Sequence, residues 1–153
     1  MGPSRYIKKS YTKPIIEESR WQRLPPKRLA EAQTPKIVVG GMNKTLECLV
    51  DDGKLVAGKS TTIVFNTAYP LNYVLGVLNS KLITFFFQRR FSGLALQGGF
   101  FRMGPPQLQH LPIPDPRKFA KDSRRLEQYV DEMIKLQEAL WSARTPHERD
   151  VLE

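Results

Sequence analysis

The chain has 153 residues, 24 Lys+Arg against 15 Asp+Glu for a formal net charge of +9, 41% hydrophobic residues and one cysteine. That length can bury a sizeable core and the composition is ordinary for a globular chain, which excludes wholesale disorder. A lone Cys48 excludes an internal disulfide, and the densest apolar stretch, residues 71–87, carries Asn72, Asn79, Ser80, Lys81 and Thr84, so it reads as core rather than a membrane span.

Residues 1–9 contain no hydrophobic signal region, and the expected compartment is the cytoplasm. Residues 1–35 are polar and basic; Pro14, Pro25, Pro26 and Pro35 mark irregular structure, with Trp21 as its anchor onto a body spanning 36–120. Within that body the runs 37–39, 45–50, 54–57 and 61–65 are short and β-branched, divided by Gly40-Gly41, Asp51-Asp52-Gly53 and Gly58. They predict strands of a small antiparallel sheet.

After Pro70, the residues Leu71, Val74, Leu75, Leu78, Leu82, Phe85 and Phe86 share one helical face, so 71–87 reads as a central helix packed on the sheet. Residues 88–104 form a basic loop with Arg89, Arg90, Arg102, Gly93, Gly98 and Gly99, and the prolines of 104–116 predict a helical turn followed by an extended exit.

From Lys121, the residues Leu126, Tyr129, Met133, Leu136, Leu140 and Ala143 alternate steps of three and four, the spacing of a heptad seam. Val130, Ile134 and Trp141 widen the stripe. The helix either docks on its own body or pairs with a partner helix. Thr145-Pro146-His147-Glu148 matches a capping box that opens a further helix, and the chain stops before that helix completes two turns, as expected of a piece of a longer polypeptide. The fold class expected is α+β: a small antiparallel sheet on a central apolar helix, then a long C-terminal helix within 121–153.

Charge divides the same way. Residues 1–120 hold 18 Lys+Arg and 7 Asp+Glu, whereas 121–153 hold 6 and 8. A basic body joined to a nearly neutral helix suggests polyanion binding by the body and packing or spacing by the helix, although a basic surface also serves solubility. Enzymatic constellations are missing: the pairs Pro25-Pro26 and Pro105-Pro106 lack the flanks of an adenine-methyltransferase motif, and Asp52-Gly53-Lys54 reads as turn chemistry before it reads as a nuclease. His110 and His147 stand apart, so no metal site is expected, and Cys48 reads as a small buried hydrophobe. Phe85, Phe86, Phe87, Phe100 and Phe101 read as core before base-stacking platforms.

The motifs at 36–39, 51–53, 75–82 (Leu-Gly-Val-Leu-Asn-Ser-Lys-Leu), Leu108, 111–114 (Leu-Pro-Ile-Pro) and 145–148, in that order, resemble the TaqI-like C-terminal specificity domain over roughly residues 20–153. That family supplies target recognition in type IIG restriction-modification enzymes. The resemblance implies a module that reads double-stranded DNA, without activity of its own. Residues 121–143 would form a spacer helix that packs through Leu126, Tyr129, Met133, Leu136 and Leu140. It implies a methyltransferase or nuclease part in the same polypeptide or a partner subunit, S-adenosylmethionine and Mg2+ as that part's cofactors, and association with the nucleoid.

The candidate DNA contacts are Asn43, Lys44, Lys59, Arg89, Arg90, Gln97 and Arg102. Arginine offers paired donors to guanine or phosphate and glutamine pairs with adenine, while Arg89 and Arg90 also suit the end of a helix, where cations are favoured. Two other readings remain open: an RNA-binding accessory protein, and a protein-interaction module acting through the heptad helix.

Overall fold

The computed structural model describes residues 18–58 and 60–142. Helices α1 (Glu18–Trp21) and α2 (Pro26–Gln33) lead into strands β1 (Lys36–Gly40), β2 (Met42–Asn43), β3 (Cys48–Asp51) and β4 (Thr61–Val64). Then come α3 (Leu71–Asn79), α4 (Lys81–Arg90), β5 (Phe101–Arg102), α5 (Pro105–Leu108) and α6 (Ala120–Ser142). The fold class is α+β, as the sequence predicts. Lys59, the box at 145–148, Ala143, the segment before Glu18 and the side chain of Trp141 lie outside the described residues.

The main sheet is antiparallel in the order β3-β1-β4. The register pairs Val39 with Cys48 and Thr62, and Ile37 with Val50 and Val64. Alternation then puts Ile37, Val39 and Cys48 on the face that meets α3, where they join Leu46, Tyr73, Val74, Leu75, Leu78 and Phe87 in one core. The opposite face carries Lys36 and Asp51, both buried, under α2. Lys36 Nζ donates to Asp51 Oδ2 at 2.5 Å, to the Ala32 carbonyl at 2.8 Å and to the Thr34 carbonyl at 3.3 Å. Three donors meet three acceptors, which is what lets an ammonium remain in a dry site.

Three sequence expectations are corrected. Within the segment read as irregular, residues 26–33 are helix α2, with Pro26 in its first turn, where its missing amide hydrogen costs nothing. Residues 54–57 are not a strand: the Asp51 carboxylate accepts from the amides of Gly53, Lys54 and Leu55, which curls the chain into a turn and withholds those donors from a ladder. The central helix is two helices. Ser80 is extended (φ −67°, ψ 149°) and its hydroxyl accepts from the Ile83 amide at 3.1 Å, so it ends α3 and caps α4.

The residue before it clamps the sheet. The Asn79 carboxamide accepts from Cys48 N and donates to Cys48 O, both at 3.0 Å, and so satisfies the outward backbone groups of edge strand β3. These roles explain the Leu78-Asn79-Ser80 sequence: one core side chain, one sheet clamp, one helix break.

α6 packs across α3 at Gly76, where a Cβ would stand 2.8 Å from Val130 Cγ2 and 3.0 Å from Leu126 Cδ1. The face turned inward runs through Ser123, Leu126, Val130 and Ile134. Of the seam named from sequence, Leu126 packs there and Leu140 is half-buried, whereas Tyr129, Met133 and Leu136 are exposed. From Leu126 the buried row advances by four residues to Val130 and Ile134, the course of a straight helix crossing another, and the heptad row leaves it on the outer side.

Candidate nucleic-acid interface

The two segments singled out in the sequence, the turn after β1 and the basic glycine loop, meet. β2 and β5 pair as a short antiparallel ribbon, Met42 opposite Arg102 and Asn43 opposite Phe101, and Met103 N extends it by donating to the Gly41 carbonyl at 2.9 Å. The chain reaches β5 through a tight turn: Leu96 N donates to Phe100 O at 2.7 Å, Gly99 N to Leu96 O at 3.0 Å, and Gly98 and Gly99 adopt φ of +79° and +77°. Those left-handed angles suit glycine, and they set Gln97 at the exposed tip of the turn.

Every residue from 92 to 100 is exposed. Phe91 and Phe101 fix the two ends, with ring centroids 5.0 and 5.6 Å from Phe87, and Met103 is buried behind them. Phe100 stays half out, with Lys44 Nζ 5.3 Å from its ring centroid. The Gln88 amide donates to the Lys44 carbonyl at 2.9 Å and ties the end of α4 to the ribbon.

Alternation sorts the candidates. Arg102 and Met42 face outward, whereas Asn43 faces inward opposite buried Phe101, its carboxamide nitrogen buried and without a hydrogen-bond partner among the described residues. Arg89 and Arg90 end α4, both exposed, and the Arg90 guanidinium lies 5.7 Å from the Phe91 ring centroid. Lys44, Arg89, Arg90, Gln97 and Arg102 therefore sit on or beside one ribbon and its turn.

Beside the ribbon opens a concavity of about 610 Å3, bordered by Arg28, Met42, Ser60, Thr61 and Arg102. Arg28 is a border the sequence reading missed; its guanidinium donates to the Ala57 carbonyl at 2.7 Å. A further signal was present: no Asp or Glu occurs between Asp52 and Asp115, while that stretch holds six Lys and Arg. The absence of carboxylates leaves the field of those cations uncompensated from within the segment that builds the ribbon.

Asp52 is exposed in the turn, and among the described residues no three His, Cys, Asp or Glu side chains cluster as metal ligands. Among them, too, no helix is long and apolar enough to cross a membrane.

Comparison with known families supplies the remaining observation: the TaqI-like C-terminal specificity domain matches residues 4–113. The chain belongs to that family. The match takes in the sheet, α3, α4, the ribbon and α5; it begins earlier than the motif resemblance implied and stops before α6. A comparison with curated proteins finds no match.

Proposed function

We propose that this TaqI-like specificity domain reads a sequence in double-stranded DNA for a restriction-modification enzyme. The observation that carries the reading is the β2–β5 ribbon. A major groove about 12 Å wide admits a two-stranded ribbon, and this ribbon presents Arg102 outward beside a turn tipped by Gln97. Arginine can bond guanine O6 and N7 in pairs, and glutamine adenine N6 and N7. Lys44, Arg89 and Arg90 supply phosphate contacts that give affinity without sequence information.

Methyl transfer or cleavage would be the work of another part of the enzyme, which would bring S-adenosylmethionine or Mg2+. The exposed row Tyr129, Met133 and Leu136 on α6 is the surface on which that part would rest, with α6 acting as spacer.

Selection of binding sites from random duplexes, followed by anisotropy titration at several salt concentrations, tests this reading. Contact with four to six phosphates gives a slope of log affinity against log salt of about −4 to −5. Gln97→Ala or Arg102→Ala should relax preference at one base pair by about 1–3 kcal/mol, while Lys44→Ala weakens all sequences alike. Equal affinity for every duplex, or unchanged preference in both loop variants, rejects it.

A further inference from the structure

The outer face of α4 packs against nothing among the described residues. Leu82 is 74% exposed and Phe85 61% exposed, one helical turn apart, and nothing among the described residues covers them. Lys81 and Arg89 lie on the same arc, both exposed, and neither has a salt-bridge partner among the described residues. α4 contains no acidic residue. The pattern along the helix is cation, two large apolar groups, cation. Through Gln88 and its bond to Lys44, this face is continuous with the ribbon.

Such a pattern calls for an occupant that is apolar in the middle and anionic on both sides. A DNA minor groove has that character: phosphates wall a channel about 6 Å wide, and the base stack lies between them. Eight residues of helix separate Lys81 from Arg89 by about 12 Å, enough to reach past both walls. A protein partner would have to place carboxylates at both ends of an apolar strip to match it.

We propose that α4 is a second DNA contact, resting on the recognition role above, in which Leu82 and Phe85 press as a wedge against a base-pair step from the minor-groove side while Lys81 and Arg89 hold the flanking phosphates. Apolar side chains inserted in this way unstack a step and bend the duplex toward the major groove. The wedge would confer a preference for deformable steps, at which unstacking is least costly.

The test uses the 153-residue chain and duplexes of about 25 base pairs, carrying the selected site and labelled at both ends, with end-to-end distance followed by energy transfer. Wild type should shorten that distance on binding. Leu82→Ala/Phe85→Ala should abolish the shortening and weaken binding about tenfold with an unchanged salt slope, because no charge is removed. Arg89→Gln should reduce the slope by about one and keep the bend. Both positions are surface, so the thermal midpoint should not move, and Phe85→Leu should restore bending in part.

Selective binding that leaves the duplex straight, or a double variant that binds and bends as wild type does, overturns the wedge but leaves the recognition reading intact. No selective binding by wild type overturns both. Self-association of the chain that the double variant abolishes, without any change in DNA bending, assigns the face to a second copy and overturns the wedge.

Discussion

Asp51→Ala removes a carboxylate that accepts from Lys36 Nζ at 2.5 Å and from the Gly53, Lys54 and Leu55 amides at 3.1 to 3.2 Å. Lys36 is 0% exposed, so the variant leaves its ammonium in the interior with two carbonyl partners and no counter-charge, and deprives three turn amides of their acceptor. One-sided loss of a buried pair costs about 3–5 kcal/mol, which for a chain of this size lowers Tm by roughly 6–20 °C. Lys36→Met is gentler. It leaves Asp51 with its three amide donors, and the loss should be about 1–3 kcal/mol.

Urea unfolding followed by circular dichroism gives both values. Asp52→Ala belongs in the series as the exposed neighbour, with an expected change within about 0.5 kcal/mol. If Lys36→Met costs more than Asp51→Ala, or if Asp51→Ala unfolds as wild type does, the carboxylate does not organise this turn. A Mg2+-dependent rise in Tm that Asp52→Ala abolishes would instead return the turn to metal chemistry.

Three further outcomes are expected. Asn79→Asp keeps the acceptor for Cys48 N but sets a carboxylate oxygen against Cys48 O, and in urea unfolding it should cost more than Asn79→Ala, itself about 2–3 kcal/mol. On α6, Val130→Asp should cost upwards of about 3 kcal/mol and Leu136→Asp about 0.5 or less, because Val130 is buried against α3 and Leu136 is exposed; equal melting temperatures would show that the inner face is misplaced. Burial pushes the Tyr73 phenol up, with a hydrogen bond to Ser123 acting the other way. The unfolded phenol thus ionises first, near pH 10, and the stability difference is present below that pH and lost as pH rises through the folded value. Tyr73→Phe should flatten this alkaline fall in stability; an unchanged slope would assign it to other groups.

The main sheet and the central helical pair were legible because their signals are local: β-branched runs at 37–39 and 61–65, apolar steps of three and four after Pro70. Three features were hidden by side chains that compete with the backbone or by geometry that only packing decides. Leu55 and Val56 look like a strand, but Asp51 has already claimed the amides around them. Ser80 sits inside an unbroken apolar periodicity, and its hydroxyl stops one helix and starts another. On α6 two apolar rows share Leu126, and the row through Val130 and Ile134 is buried because Gly76 opens a notch for Val130 and Leu126. The ribbon has strands of two residues, too short for any period to show. Its parts were found by composition, from arginine and glutamine among glycines, and that same composition could not reveal that Asn43 turns inward.

On the proposed reading, stability and recognition occupy different parts of this chain. The core clamps, Lys36 with Asp51 and Asn79 with Cys48, lie on one face and one edge of the sheet, away from the turn at 92–100. That turn hangs between Phe91 and Phe101, both packed on Phe87, and contributes no buried side chain of its own. Exposed substitutions of this kind change stability by only about 0.5 kcal/mol or less. Side chains at its tip can therefore be exchanged with little cost to the fold, provided that the left-handed angles at Gly98 and Gly99 are kept. A domain that must present different donors and acceptors to different base pairs needs such a separation. Gln97→Arg should then melt as wild type does while changing the preferred base; a large loss of stability in that variant would show that the turn carries part of the fold.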